Sequence, residues 1–541
     1  MKRLIVWIVM LLLMVMPVLT QSDVATQSTV APEHPDNWWN DRIFYEIFVR
    51  SFYDSDGDGI GDIRGIIEKL DYLNDGDPTT TDDLGITGIW LMPINPSPSY
   101  HGYDVTDYLG INPDYGTMDD FRELLQEAHN RGIVVIMDLV MNHTSDQIEW
   151  FIESQDPASE FADWYVWSED NPGFRGPDGQ IVWHSEDGRY YYAVFVGFMP
   201  DLNYLNPEVT LAMYEINRYW LEEVGVDGFR LDAIKFLISI DERQESIPET
   251  RAWLADYHDY IHSIEPDALL VGEIWSDTSQ VELYINEQVD LAFEFRLAEA
   301  MVRTAAFRTS SGLLNQLEIV LESYPPGQYA TFLTNHDQDR VMSQVRGEVG
   351  NAKVAAMMLL TLPGVPFIYY GEEIGMTGVK PDEDIRRPMQ WSAEDDAGFT
   401  EGDPWRALDA SYATANVAAE TDDPNSLLST YRDLIHARNS SPAMLRGDFT
   451  PVESSERKVI AFLRQYETET VLVLLNIDDM PVTNYTLTLA SSSMNQITTP
   501  ELLLGTGDLT APELNEAGGF ADYVPLRELP AESATIIRLT E

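Results

Sequence analysis

The chain has no cysteine in its 541 residues. That excludes disulfide staples, thiolate metal centres, a cysteine nucleophile and a lipid carried on an N-terminal cysteine. Basic residues are scarce. Thirty-three Lys and Arg stand against 91 Asp and Glu, a formal net charge of −58. Such a surface repels phosphates, which argues against nucleic acid and anionic membranes as partners. A neutral ligand such as a glycan is compatible with it. The acidity has two readings, a well-hydrated soluble surface or adaptation to salt, which screens self-repulsion.

Long apolar runs are missing beyond the N-terminus. No later segment approaches the roughly 20 apolar residues that a membrane span needs. The early run, 4–19, follows Lys2 and Arg3 and is broken by Pro17. It reads as a secretory signal peptide, 1–26, with cleavage expected between 20 and 26. The expected product is secreted, extracellular or periplasmic, with no membrane attachment once the signal is removed. Residues 27–37 are polar and read as a linker.

The chain as a whole has an ordinary hydrophobic fraction, 44%, and what remains is long enough for two or three domains. Eight apolar runs recur, at 43–49, 86–91, 134–139, 228–231, 269–272, 291–295, 329–334 and 366–370. Helical patterns separate them, for example 118–131 and 211–224. Near-continuous apolar strands alternating with helices predict a parallel sheet covered on both faces. Eight such units predict an α/β fold, a (β/α)8 TIM barrel over 38–142 and 207–440. The connection from the third run to the fourth is far longer than one helix needs. It is rich in Trp, Tyr, Gly and Asp, and predicts an inserted small domain, 143–206. Short β runs at 459–463, 470–475, 485–489 and 534–539 predict a C-terminal antiparallel β-sandwich, 441–541.

Three acids close three of the apolar runs: Asp232 after Gly228-Phe-Arg-Leu231, Glu273 after Leu269-Leu-Val-Gly272, and Asp337 after Asn335-His336. Catalytic groups of such barrels sit at the carboxyl ends of the strands. Paired carboxylates are what glycoside hydrolysis needs. Arg230 lies two residues before Asp232, on the same face of its strand, and is placed to favour an ionised Asp232. Glu273, beside Ile274 and Trp275, is expected to have a raised pKa.

Four motifs in order resemble the α-amylase family, glycoside hydrolase family 13: Asp138-Leu-Val-Met-Asn142-His143, Gly228-Phe-Arg230-Leu-Asp232, Gly272-Glu273-Ile-Trp275 and Asn335-His336-Asp337. The resemblance runs from Trp38 onward. It implies Asp232 as nucleophile, Glu273 as general acid/base and Asp337 as transition-state stabiliser. It implies that His143 and His336 hydrogen-bond the sugar, that Tyr103 stacks on it and that Asp104 binds its hydroxyls. Arg230 joins these, and Lys235 would contact the aglycone side. Arg340 is a weaker candidate, for pairing with Asp337 or with substrate. Arg386 and Arg387 could equally supply an arginine for Asp104.

The segment Asp54-Ser-Asp56-Gly-Asp58-Gly-Ile60-Gly-Asp62 puts carboxylates at near-alternate positions in a glycine-rich loop, the hard oxygen donors that Ca2+ takes. An EF-hand is excluded, because its twelfth position is Gly65 and a strand is expected before it. The segment resembles the calcium loop of oligo-1,6-glucosidases. That implies ligands from Asp54, Asp56, Asp58 and Asp62 and from the Ile60 carbonyl. A second, interdomain calcium site of many α-amylases is in doubt, because Phe236 stands where its histidine would be, although Asn142 remains.

Met199-Pro-Asp-Leu-Asn203 resembles a form intermediate between oligo-1,6-glucosidases and neopullulanases. The expectation is a monomeric α-amylase acting on α-1,4-glucans such as starch and maltooligosaccharides. An exo-acting α-glucosidase or a transglycosylase such as a trehalose synthase uses the same acids. A non-catalytic binding subunit would have lost them.

Overall fold

The eight apolar runs pair in the order in which they occur. The computed structural model describes residues 37–285 and 287–540. Its strands are β1 (Phe44–Ile47), β2 (Gly88–Leu91), β3 (Val134–Leu139), β4 (Gly228–Leu231), β5 (Leu269–Gly272), β6 (Leu291–Phe293), β7 (Tyr329–Thr331) and β8 (Val365–Tyr369). All neighbours are parallel, and β8 closes on β1. The expected signal peptide and nearly all of the linker lie outside the described residues. Among the described residues, no helix is long and apolar enough to cross a membrane.

Every barrel strand is buried, and side chains alternate between its two faces. One set, including Phe44, Trp90, Ile136, Val271, Phe293 and Phe367, forms a core of its own. Phe44 and Phe367 stack there at 4.5 Å. The other set, including Tyr45, Ile89, Met137, Phe229 and Leu270, joins the larger core. The period of two then places Glu46, Asp138 and Arg230 on the inner face with Phe44, Ile136 and Val271. Gly228 admits no other residue. A Cβ there would stand 2.1 Å from the carbonyl oxygen of Leu269 on the adjoining strand.

The helix Met118–Asn130 begins with a reciprocal cap between Thr117 and Asp120 and buries Phe121, Leu124, Leu125 and Ala128. The second expected helix starts earlier than its apolar spacing indicated. Asn206 caps it and Pro207 opens it. It runs to Arg218 and continues as a π-helical turn, Tyr219–Val224, that ends at Gly225.

The segment after β3 carries a three-stranded sheet of its own, from Trp167–Ser168, Arg189–Tyr192 and Trp183–Glu186. Its return is tied to its departure, since the Leu202 N–H donates to the Asn142 carbonyl at 3.0 Å. The C-terminal region forms seven antiparallel strands: β9 (Asp448–Ser454), β10 (Val459–Tyr466), β11 (Glu469–Asn476), β12 (Leu487–Ser491), β13 (Glu501–Leu504), β14 (Gly518–Tyr523) and β15 (Ser533–Thr540). Their order is β13-β15-β11-β10-β9-β12-β14. The expected C-terminal antiparallel β domain is present, its strand order folded over at β9 into a half-barrel. Residues 448–452 of β9 pair with β10 and residues 453–454 with β12, carrying the sheet around a shared core of Leu463, Leu472, Leu487 and Phe520.

Candidate active site

Strand register brings the acids together. Asp138 of β3 is level with Arg230 of β4, and Leu231 is level with Gly272 of β5. Asp232 and Glu273 therefore leave their strands side by side. The backbone ladder continues through both, with Asp232 N–H donating to Leu139 and Glu273 N–H to Leu231.

Arg230 is the hub. It is fully buried. Nη1 stands 2.9 Å from Asp138 Oδ1 and 2.6 Å from Asp232 Oδ1, and Nη2 stands 2.8 Å from Glu273 Oε2. Its guanidinium also lies 5.2 Å from the ring centre of Trp90. The next residue after Asp232, Ala233, adopts a left-handed backbone with φ 51°. A non-glycine residue pays about 1–3 kcal/mol for such a conformation, which persists at sites that need it. Here it aims the Ala233 N–H at Glu273 Oε2, 3.0 Å away.

Burial dominates the titration of these groups. It raises Glu273 to about 7, against the pull of Arg230 and with help from Asp232 and Asp337. Burial also raises Asp138 to about 7. It raises Asp232 as well, although Arg230 opposes this. The arginine favours the Asp232 carboxylate, as its position in the strand implied, but does not outweigh desolvation. Asp337 behaves oppositely. Burial works against its ionisation, yet the charges of His336, Arg386, Arg230 and Lys380 bring it down to about 2. Burial keeps the His336 imidazole neutral near pH 7. At that pH the charge in contact with Asp337 is Arg386, 2.8 Å from Oδ1.

A cavity of about 760 Å³ opens over these acids. Asp232, Glu273 and Asp337 line it with Tyr103, His143 and Lys235, and Phe195, Phe198 and Trp275 form apolar walls. Nε2 of His143 is buried without a hydrogen-bond partner. Burial lowers this imidazole to about 3, so it is neutral. Lys235 donates to the Trp275 carbonyl at 3.2 Å and pairs with Glu245 at 2.9 Å.

Four expected substrate contacts are placed elsewhere; Arg230 is one, held entirely beneath the cavity by Asp138, Asp232 and Glu273. His336 is fully buried, with Nδ1 2.5 Å from Glu46 Oε1 and Nε2 2.6 Å from the Tyr103 hydroxyl. Both nitrogens are engaged, so it positions Tyr103 instead of reaching a ligand. Asp104 is buried and faces the hydroxyls of Ser97 and Ser99. Among the described residues its ionic partner is His101, 3.9 Å away, and no arginine. Arg340 is likewise buried, donating to the carbonyls of Ile385 and Tyr370. Arg386 takes the place at Asp337 that Arg340 was expected to fill. Arg387 instead pairs with Asp384 and Asp409. Glu46 is a participant that the sequence did not single out; Asp138 stands in a quoted motif without an assigned role, and Arg386, expected at Asp104, pairs with Asp337. Asp138 and Glu46 carried a signal, since each is an acid within an apolar strand.

In the glycine-rich loop, one oxygen from each of Asp54, Asp56 and Asp62 lies within 4.8 Å of the others. Asp54 accepts the N–H groups of Asp56, Gly57 and Gly59 and the Thr400 hydroxyl. Asp62 accepts from Ser55 and Gly65. Gly59, φ +94°, packs so that a Cβ would meet the Asp403 carbonyl oxygen at 1.9 Å. This clustering of hard donors fits a calcium ion. Asp58 is not in the cluster. A single helical turn, Val49–Phe52, stands between β1 and the loop, where a continuous strand was expected. At the base of the insert, Phe236 packs with Val182, Tyr192, Val194 and Ala233. That cluster supplies no side-chain oxygen, whereas beside it Asn142 Oδ1 and Asp201 Oδ2 are buried without a hydrogen-bond partner.

The model of the alpha-amylase catalytic domain matches residues 46–447. The chain belongs to the α-amylase family, glycoside hydrolase family 13. It is 39% identical to an alpha-amylase 3 of Dictyoglomus thermophilum, over 82% of this chain and 85% of that one. It is 34% identical to a trehalose synthase/amylase of Mycolicibacterium smegmatis, with 82% and 85% covered. It is 32% identical to an oligo-1,6-glucosidase of Bacillus cereus, with 81% and 90% covered. Among solved structures, an alpha-amylase from H. orenii superposes with a TM-score of 0.81 at 41% identity, covering 92% of this chain and 99% of that one. The family 13 hydrolase shares its scaffold with proteins named as an amylase, a trehalose synthase and an oligo-1,6-glucosidase.

Proposed function

We propose that this family 13 hydrolase is a secreted α-amylase that cleaves α-1,4-glucosidic bonds of starch and maltooligosaccharides with retention of configuration. The observation that carries the reading is the arginine shared by Asp232 and Glu273 beneath an open, aromatic-walled cavity. Glu273, protonated up to about pH 7, gives its proton to the glycosidic oxygen as the bond to C1 breaks. Asp232 attacks C1 from the other side, forming a glycosyl-enzyme ester. The Asp337 carboxylate stabilises the positive charge that develops on the ring. In the second half, Glu273 takes a proton from water, the water oxygen attacks C1, and Asp232 leaves as the carboxylate. Desolvation within the cavity strengthens each of these interactions.

Phe195, Phe198 and Trp275 are between a third and a half exposed. Exposed aromatic faces above the acids suit stacking against further sugar rings, which favours a polymer over a disaccharide. The runner-up is an exo-acting α-glucosidase or oligo-1,6-glucosidase, or a transglycosylase such as a trehalose synthase, the last two being names two relatives carry. Product analysis on soluble starch separates the two. A ladder of maltooligosaccharides supports endo hydrolysis; glucose alone, or trehalose from maltose, overturns it. Calcium enters as part of the same proposal. Asp54, Asp56 and Asp62 would hold it, and it would supply cross-linking charge to the loop after β1, not chemistry at C1.

A further inference from the structure

At the opposite end of the barrel from the acids, His258 and His262 stand one turn apart on the helix Pro248–Ile264. Their rings lie close, centroids 4.3 Å apart and planes tilted by 55°. Asp290, the residue before β6, meets them both. Its Oδ1 lies 3.2 Å from Nε2 of His258 and 3.2 Å from Nε2 of His262. All three donor atoms fall within 4.8 Å of one another. In a tetrahedral zinc site with bonds of about 2.0–2.2 Å, neighbouring ligand atoms stand about 3.3 Å apart. The two histidine–carboxylate separations are close to that value; the His258 one is a hydrogen bond, which an ion would replace.

The surroundings match as well. His262 Nδ1 lies 3.1 Å from the Pro266 carbonyl, which fixes the proton there and leaves Nε2 as the free lone pair. That Nε2 is buried and makes no aligned hydrogen bond, despite its closeness to Asp290. The other oxygen of Asp290 accepts the Leu270 N–H at 2.8 Å, so Oδ1 is the one turned to the histidines. Side-chain exposures of 17%, 21% and 9% leave a path for an ion and a completing water.

We infer that His258, His262 and Asp290 form a binding site for Zn2+ or a neighbouring late first-row divalent ion, which ties the end of this helix to the start of β6. Two imidazoles and one carboxylate select such ions over Ca2+ and Mg2+. The location argues for a stabilising role, since the amino ends of barrel strands carry stability and not chemistry. Ligand imidazoles bind metal only when unprotonated, so binding weakens in acid.

The test uses the full-length protein, stripped of metal and returned to buffer containing calcium. Micromolar Zn2+ is expected to raise the melting temperature by a few degrees at pH 7.5 and by less at pH 5.5. His258→Gln and His262→Gln are expected to lose that increment. Because either variant could be less stable at the outset, the zinc-induced shift is compared, not the absolute midpoint. Co2+ in place of zinc is expected to give the visible absorption of a tetrahedral centre in the wild type and not in the variants. Starch hydrolysis by both variants is expected to be unchanged. No shift and no cobalt band in the wild type would overturn the inference. So would an equal zinc shift in the variants, which would place the ion among the surface acids.

Discussion

Glu273 Oε2 stands 2.8 Å from Nη2 of Arg230, a contact that would ordinarily hold a carboxyl ionised. Burial reverses the outcome and brings Glu273 to about 7. The acid is therefore protonated over most of the acidic range and loses its proton near neutrality. Turnover is expected to fall as pH rises through about 7, because the general acid is lost there. Glu273→Gln is expected to lower turnover by about 10²–10⁴-fold and to remove this alkaline limb. A profile that stays level to pH 9 would reject Glu273 as the acid.

Asp232 is expected to be the nucleophile. Asp232→Asn keeps the shape but cannot form the ester, so activity is expected to drop by more than about a hundredfold while the fold persists. The product is expected to emerge as the α-anomer. Two carboxyls on one guanidinium suit the separation of about 5–5.5 Å that retention requires, against about 6.5–9.5 Å for inversion. NMR of the first sugar released decides it, and an initial β-anomer would sink the double displacement.

How much of this was legible beforehand depended on burial. The barrel strands were readable because each is buried on both faces and so is apolar throughout. Strands β9, β13 and β14 were not, because they are half exposed and their sequences alternate weakly. Asp232, Glu273 and Asp337 could be found as acids at strand ends. Asp138 and Glu46 lie one layer deeper in their strands, where the apolar pattern shows the strand but not the role of its single charge. Arg340 was misplaced for a different reason. It is three residues from Asp337 in the chain, but the intervening segment is not helical, so proximity in sequence did not become contact. Arg386 reached Asp337 across 49 positions, a pairing that only the loop path decides.

Stability is expected to decline from acid to alkaline pH. Burial raises Asp201 to about 8, against a hydrogen bond from the Val194 N–H. Burial also raises Glu372 to about 8, although the Tyr431 hydroxyl donates to it at 2.7 Å. Between their ordinary values and pH 8 the folded state holds protons that the unfolded chain has released. The unfolding free energy therefore falls as pH rises through that window. Melting temperatures at saturating calcium are expected to be lower at pH 8.5 than at pH 5.5. Glu372→Gln is expected to reduce the difference. A midpoint that rises over this range would contradict the assignment.

Calcium is expected to raise the melting temperature through the loop at Asp54, Asp56 and Asp62. Binding to the folded state alone stabilises by mass action, about 2.7 kcal/mol at one hundred times Kd. A cation also relieves repulsion among carboxylates held within 4.8 Å. Melting with chelator and with excess calcium tests this on wild type and on Asp56→Ala. Asp56 is the choice because it is exposed, so its loss leaves the buried bonds of Asp54 and Asp62 in place. Equal midpoints for wild type in both conditions would leave a solvated loop.

Activity and stability are expected to hold or rise with sodium chloride. A formal charge of −58 repels itself most strongly in the compact state. Salt shortens that repulsion to about 3 Å at 1 M. A neutral glucan loses no attraction when the field is screened, unlike a charged ligand. Ion pairs on the surface weaken too, but each contributes only about 0–1 kcal/mol. The buried contacts of Arg230 are shielded from the solvent ions. The sum favours the folded, active enzyme at high salt. Sodium chloride is the salt to use, because a kosmotropic anion would strengthen apolar burial by itself. Turnover on starch and the melting midpoint, both followed to about 2 M where screening is nearly complete, give the answer. A steady loss of both would assign the acidity to solubility alone.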